Sequence, residues 1–137
     1  MSVALIALEA EVRRVILAAS SLQEVFGTPV RLMEADETRA AFPFLRLDRH
    51  EIRPEAPAAG ALIEHRLSVE VYSRSGGREE ANRLVSLVGE TLRTAELSPV
   101  GLKIILFYPV YSDVFLRSDG TTFRGLIRLR ALSEVLG

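Results

Sequence analysis

The stretch Arg66-Leu67-Ser68-Val69-Glu70-Val71-Tyr72-Ser73-Arg74-Ser75-Gly76-Gly77-Arg78-Glu79-Glu80-Ala81 changes its hydrophobic period half-way along. Up to Tyr72 apolar Leu67, Val69 and Val71 alternate with Arg66, Ser68, Glu70 and Tyr72, the period of two of a strand with one buried face. After the turn residues Ser73 to Gly77 the pattern becomes helical. Ala81, Leu84, Val85, Val88 and Leu92 recur at the spacing of one helix face, predicting a helix over about 78–95. Glu79 and Glu80 fall in its first turn, where the helix dipole favours negative charge.

Working back from this strand, Ser2 is expected to cap a helix running to about residue 20, with Val3, Ile6, Val12, Val15 and Ile16 mainly on one side. A short turn of helix over 21–26 ends at Gly27 and Pro29. Val30 to Leu32 and Phe44 to Asp48 read as short strands, with an irregular polar stretch over 33–42. Residues 53–60 hold two prolines and a glycine and read as a flexible loop. Working forward, residues 102–108 form a strand that Pro109 interrupts, and 110–117 either continue it after a bend or form a separate strand. Ser118-Asp119-Gly120-Thr121 is a hairpin turn. Phe123 to Leu132 returns, with Ile127, Leu129 and Ala131 on one face and Arg124, Leu126, Arg128 and Arg130 on the other. The expected fold class is α+β: two main helices packed on one mostly antiparallel sheet with a C-terminal hairpin, in one domain over 1–137.

The chain has 137 residues, of which 48% are hydrophobic and 26% charged, enough for a core with a solvated surface. A net charge of −1 argues against a general nucleic-acid binder. The absence of cysteine excludes disulfides, thiolate catalysis and Cys-ligated metals. No apolar run nears the ~20 residues of a membrane helix, and Glu9 and Glu11 follow the N-terminus too soon for a signal peptide. A soluble protein made in the cytoplasm is expected.

No residue pattern supplies a catalytic, cofactor or metal site. His50 and His65 belong to no paired metal-binding spacing, and His65 reads as a surface or edge histidine. A Ser/His/Asp set drawn from His65, Asp113 and a serine has no G-x-S-x-G elbow to expose the nucleophile. Gly76-Gly77 lacks the spacing of a phosphate loop and precedes two glutamates that would repel an anion. Arg124, Arg128 and Arg130 share one strand face. They read as solvated arginines or cross-strand pairs within the chain, as partners of a neighbouring subunit's Glu64 or Glu70, or as a basic surface touching nucleic acid.

From Gly60 onward the order of features carries a resemblance. Glu64-His65-Arg66-Leu67-Ser68-Val69-Glu70-Val71-Tyr72-Ser73, the Gly76-Gly77-Arg78-Glu79-Glu80-Ala81 helix start and the hairpin from Ser118 to Ala131 are similar to the tail-completion (tail-terminator) proteins of long-tailed phages and gene transfer agents. Phe42-Pro43-Phe44-Leu45 and the N-terminal helix also fit, and residues 27–41 fit least. Tyr72 stands where many relatives carry tryptophan. The resemblance implies a non-enzymatic virion protein without cofactors. It implies a hexameric homo-oligomeric ring that caps the head-proximal end of the tail tube, stops its polymerisation and meets the head connector, with DNA passing through the lumen. Glu64, Glu70, Arg124, Arg128 and Arg130 are the candidate subunit interface, joined by the 53–60 and 109–121 regions. Charge reversal at Arg128 and Arg130 is expected to leave the fold intact and weaken assembly. A connector, stopper or tube subunit of the same particle, a small α+β ligand-binding domain and a nucleic-acid-binding domain are the alternatives.

Overall fold

The strand recognised between Leu67 and Val71 is the middle of a longer one. A computed structural model describes residues 3–34, 41–54 and 62–136. Its elements are helices Val3–Ala18 (α1) and Ser20–Phe26 (α2), strands Leu32–Met33 (β1), Phe44–Pro54 (β2) and Leu62–Ser73 (β3), helix Gly77–Arg93 (α3), and strands Leu102–Leu116 (β4) and Phe123–Val135 (β5). The five strands form one sheet in the order β1-β2-β3-β5-β4. Every neighbouring pair is antiparallel except β1 with β2. The fold is α+β, as the change of period requires.

The register shows why one face is dry. Leu67 lies opposite Leu129, Val69 opposite Ile127 and His65 opposite Ala131, so the odd-numbered residues of β3 and β5 share a face. α3 covers that face over β3, β4 and β5, and α1 packs against β2 and β4. Leu8, Val12 and Ile16 of α1, Leu22 and Phe26 of α2 and the Ala81–Leu92 stripe of α3 close the core with them, all buried. α3 comes so close at Gly125 that a Cβ there would stand 2.2 Å from Val85 Cγ2. The Asp-Gly turn forms as expected: Gly120 takes a positive φ of 74°, and the Asp119 carboxylate accepts from the Thr121 and Thr122 amides and the Thr122 hydroxyl.

Three expectations change. β2 continues past Asp48 to Pro54, with an irregularity between Leu47 and His50; Arg53 and Pro54 pair with Glu64 and Ile63, and the rest of the predicted 53–60 loop lies outside the described residues. Its mixed charges hid it, because this part of β2 has one strand partner and a polar outer side. β4 runs through Pro109 without breaking; it is an edge strand, where a missing N–H is tolerated, and a register shift falls between Pro109 and Tyr111. Val3 and Ile6 are 77% and 53% exposed, because α1 buries the row Ala4, Leu8, Glu11, Val12 and Ile16 instead. Leu8 completes that row at i, i+4 spacing, in a helix apolar almost all round. The Ser2 cap lies outside the described residues.

Candidate assembly surface

The even-numbered residues of β3 and β5 form the sheet's other face, which no helix covers among the described residues. Arg66 faces Arg130, Ser68 faces Arg128, Glu70 faces Leu126 and Tyr72 faces Arg124. β4 adds Tyr108 opposite Arg130, Tyr111 opposite Arg128 and Phe115 opposite Arg124, and β2 adds Phe44 and Arg46 opposite Tyr72 and Glu70. All five candidate interface residues, Glu64, Glu70, Arg124, Arg128 and Arg130, are therefore brought to one surface. It is concave in the middle, with a hollow of about 690 Å³ between Arg66, Tyr111, Leu126 and Arg128.

Two of the three arginines already hold partners within the chain. Arg130 Nε donates to Glu64 Oε2 at 2.6 Å, while Arg66 Nε approaches the other carboxylate oxygen at 3.6 Å. Glu64 thus separates the guanidiniums of Arg66 and Arg130, which would otherwise face each other across the ladder. The Arg130 hydrogen bond holds the Glu64 carboxyl below the usual carboxylate range, and the same bond raises Arg130. Arg124 is bonded to Glu70, which is buried and also accepts from the Tyr72 hydroxyl at 3.0 Å. Burial, then the nearby Glu70 carboxylate, pushes the Tyr72 phenol up. Arg128 is exposed and makes no ion pair among the described residues; its guanidinium lies over the Tyr111 ring, 5.2 Å from the centroid. Reversing the charge at Arg130 would therefore set a second carboxylate against Glu64, so only Arg128 serves as a test of the surface that leaves the fold alone.

Aromatic rings interleave with the arginines, across the strands rather than along one. Arg124 lies over Phe115 at 5.2 Å and Arg46 over Tyr72 at 5.2 Å, and Tyr72 stacks on Phe44 with centroids 4.8 Å apart. The β4 to β5 and β2 to β3 registers, which a single strand's pattern does not reveal, create these contacts. β4 is also the free edge of the sheet, with Ile105, Val110, Tyr111 and Leu116 each about half exposed.

The structure separates the residues of the nominal Ser/His/Asp set. Asp113 sits with Leu126 on the open face, whereas His65 is on the covered one. His65 is also fully buried, not a surface or edge histidine: it shares the odd-numbered phase of Leu67 and Val69 in a central strand. Among the described residues no cluster of three His, Cys, Asp or Glu side chains could hold a metal ion, and no described helix is long and apolar enough to cross a membrane.

The family model of the tail completion protein gp17 matches residues 10–134. The chain belongs to that family. The match takes in the second half of α1, α2, α3 and, but for Val135, all five strands, and therefore the open face. The family is one of structural virion proteins, and the role of this tail-completion protein is structural, in a phage-type tail. A chain in a solved virion of a native gene transfer agent (GTA) particle has the same fold, with a TM-score of 0.83 at 18% identity over 97% of this chain and 99% of that one. No curated protein matches.

Proposed function

We propose that this tail-completion protein is a tail terminator: six copies close into a ring on the head-proximal end of the tail tube, stop its growth and present a platform to the head connector. It acts as one domain over residues 1–137, without catalysis, in the assembled phage or gene transfer agent particle after synthesis in the bacterial cytoplasm, and DNA passes through the ring's lumen. The family match over residues 10–134 is the observation that carries this reading.

A ring needs two different complementary patches on each subunit, since head-to-tail contacts close only by repetition. The sheet offers two unlike edges. Among the described residues β4 is free along its outer side, and the outer side of β2 is paired with β1 only at Leu45 and Arg46. The exposed apolar side chains of β4 support it as one patch, with Arg128 beside them, since an unpaired edge strand readily accepts another chain. Glu64, Glu70, Arg124 and Arg130 shape the surface around Arg128 through their own pairs.

Electron microscopy and sedimentation of the purified protein test the assignment. Closed rings of one mass that bind tube ends support a terminator. Open-ended tubes of the protein alone would assign it as a tube subunit instead, and a species that stays monomeric and ignores tubes would overturn the ring.

A further inference from the structure

On the covered face a line of four polar side chains ties α1 to three strands. His50 Nδ1 on β2 lies 3.3 Å from Glu9 Oε2 on α1. His50 Nε2 lies 2.9 Å from His65 Nδ1 on β3, and His65 Nε2 lies 2.8 Å from Ser133 Oγ on β5. Glu9 is 35% exposed, the His50 side chain 6%, and His65 and Ser133 not at all, so the line runs from the surface into the core.

The proton positions follow from the Glu9 end. A carboxylate only accepts, so His50 donates through Nδ1–H. The Nε2 of that neutral ring must then accept, from His65 Nδ1–H, and His65 Nε2 accepts from the Ser133 hydroxyl. Every bond points toward Glu9, and both rings carry their proton on Nδ1, an assignment that rests on the network.

One added proton reverses the inner bonds without breaking them. His50, now an imidazolium, donates to Glu9 from one nitrogen and to His65 Nδ1 from the other. His65 moves its own proton to Nε2 and donates to Ser133 Oγ, whose hydroxyl turns. A second proton has no such solution. His50 Nε2 and His65 Nδ1 would both carry hydrogen across 2.9 Å with no acceptor between them, and two cations would touch in the core.

We propose that Glu9, His50, His65 and Ser133 form a proton-responsive latch that holds α1 on the sheet, accepting one proton by reversing its direction and opening on the second. The charged groups facing the imidazoles agree with this. Glu9 approaches from α1 with Arg13 3.9 Å behind it, each imidazole faces the other between β2 and β3, and β5 presents the uncharged Ser133. Burial lowers His50 by more than Glu9 restores, and burial followed by the neighbouring His50 lowers His65 to about 4. Unfolded histidines take up protons near pH ~6.5. The folded pair takes them up later, so its contribution to stability is complete above that pH and is lost as the pH falls toward about 4.

Ring-nitrogen NMR on the unmodified protein, titrated from about pH 7.5 to about pH 4, tests the latch together with amide exchange in α1. The expected start is the Nδ1–H tautomer in both rings. The first step should turn His50 into an imidazolium while His65 changes to Nε2–H at the same pH, and the second should coincide with lost protection in α1. Glu9→Gln should move the first step to lower pH, which a merely space-filling role for Glu9 would not do. An Nε2–H tautomer in either ring at neutral pH, independent titration of the two rings, or a first step unmoved by Glu9→Gln would overturn the proposal.

Discussion

Arg128 and Leu129 are consecutive, yet they live on opposite sides of the sheet. Leu129 is 1% exposed beneath the helices, whereas Arg128 stands in solvent above the open face. The contrast repeats along β3 and β5. One face is apolar apart from the histidine line and Ser73, and the other is a mosaic of arginine, glutamate and aromatic rings. Burying a Leu or Val side chain contributes roughly 1.5–3 kcal/mol, whereas an exposed ion pair contributes about 0–1 kcal/mol. The covered face therefore sets the stability of the fold. On the open face most charge is spent inside the chain, in Arg130–Glu64 and Arg124–Glu70. What it offers a partner is Arg128 and the apolar edge of β4.

The largest effect should come from the covered face. Leu129→Ala removes a side chain packed among Leu67, Val69 and the α3 stripe, and is expected to destabilise the protein by about 2–5 kcal/mol, transfer and cavity together. Chemical denaturation measures this. A loss below that of any open-face substitution would break the division between the faces.

An intermediate effect is expected at Arg124. Arg124→Met keeps the stem's contact with Phe115 but leaves the buried Glu70 with only the Tyr72 hydroxyl among the partners described above. Stranding a buried acceptor costs about 1–3 kcal/mol. Replacing Glu70 by Leu in the same chain should return part of the loss, since no stranded carboxylate then remains. A double variant less stable than Arg124→Met would show that the pair is not what the guanidinium serves.

The sequence carried the sheet's two faces and the α3 stripe, because period two and period 3.6 are properties of single segments. It carried the Asp-Gly hairpin because that turn is local chemistry. What it could not carry lay between segments. Asp48 to Pro54 has no alternation of its own, and its strand identity comes from pairing with β3. His65 looked like an edge residue until Ser133 and His50 stood beside it, from residues 68 and 15 positions away. The five candidate interface residues share a face because the β3 to β5 register sets even-numbered positions opposite even-numbered ones, and a shift of one residue would have divided them. Their division into paired and unpaired members needed the register: Glu64 meets Arg130 by a diagonal reach that no one-dimensional pattern specifies.

The smallest effect on folding is expected where the proposed effect on assembly is greatest. Arg128 has no carboxylate partner among the described residues, and its only ring contact is with the exposed Tyr111. Arg128→Glu should therefore change stability by no more than about 0.5 kcal/mol, the range of surface substitutions away from special features. Its thermal midpoint should match the unmodified protein while ring yield in sedimentation falls, since a reversed charge at the β4 side of the surface would repel whatever acidic group seats there. The two readouts separate the faces. Unchanged ring yield at unchanged stability would remove Arg128 from the interface and leave the apolar edge of β4 to hold the neighbour. A fall in both would mean that Arg128 supports the fold after all, and that the open face is no freer for a partner than the covered one.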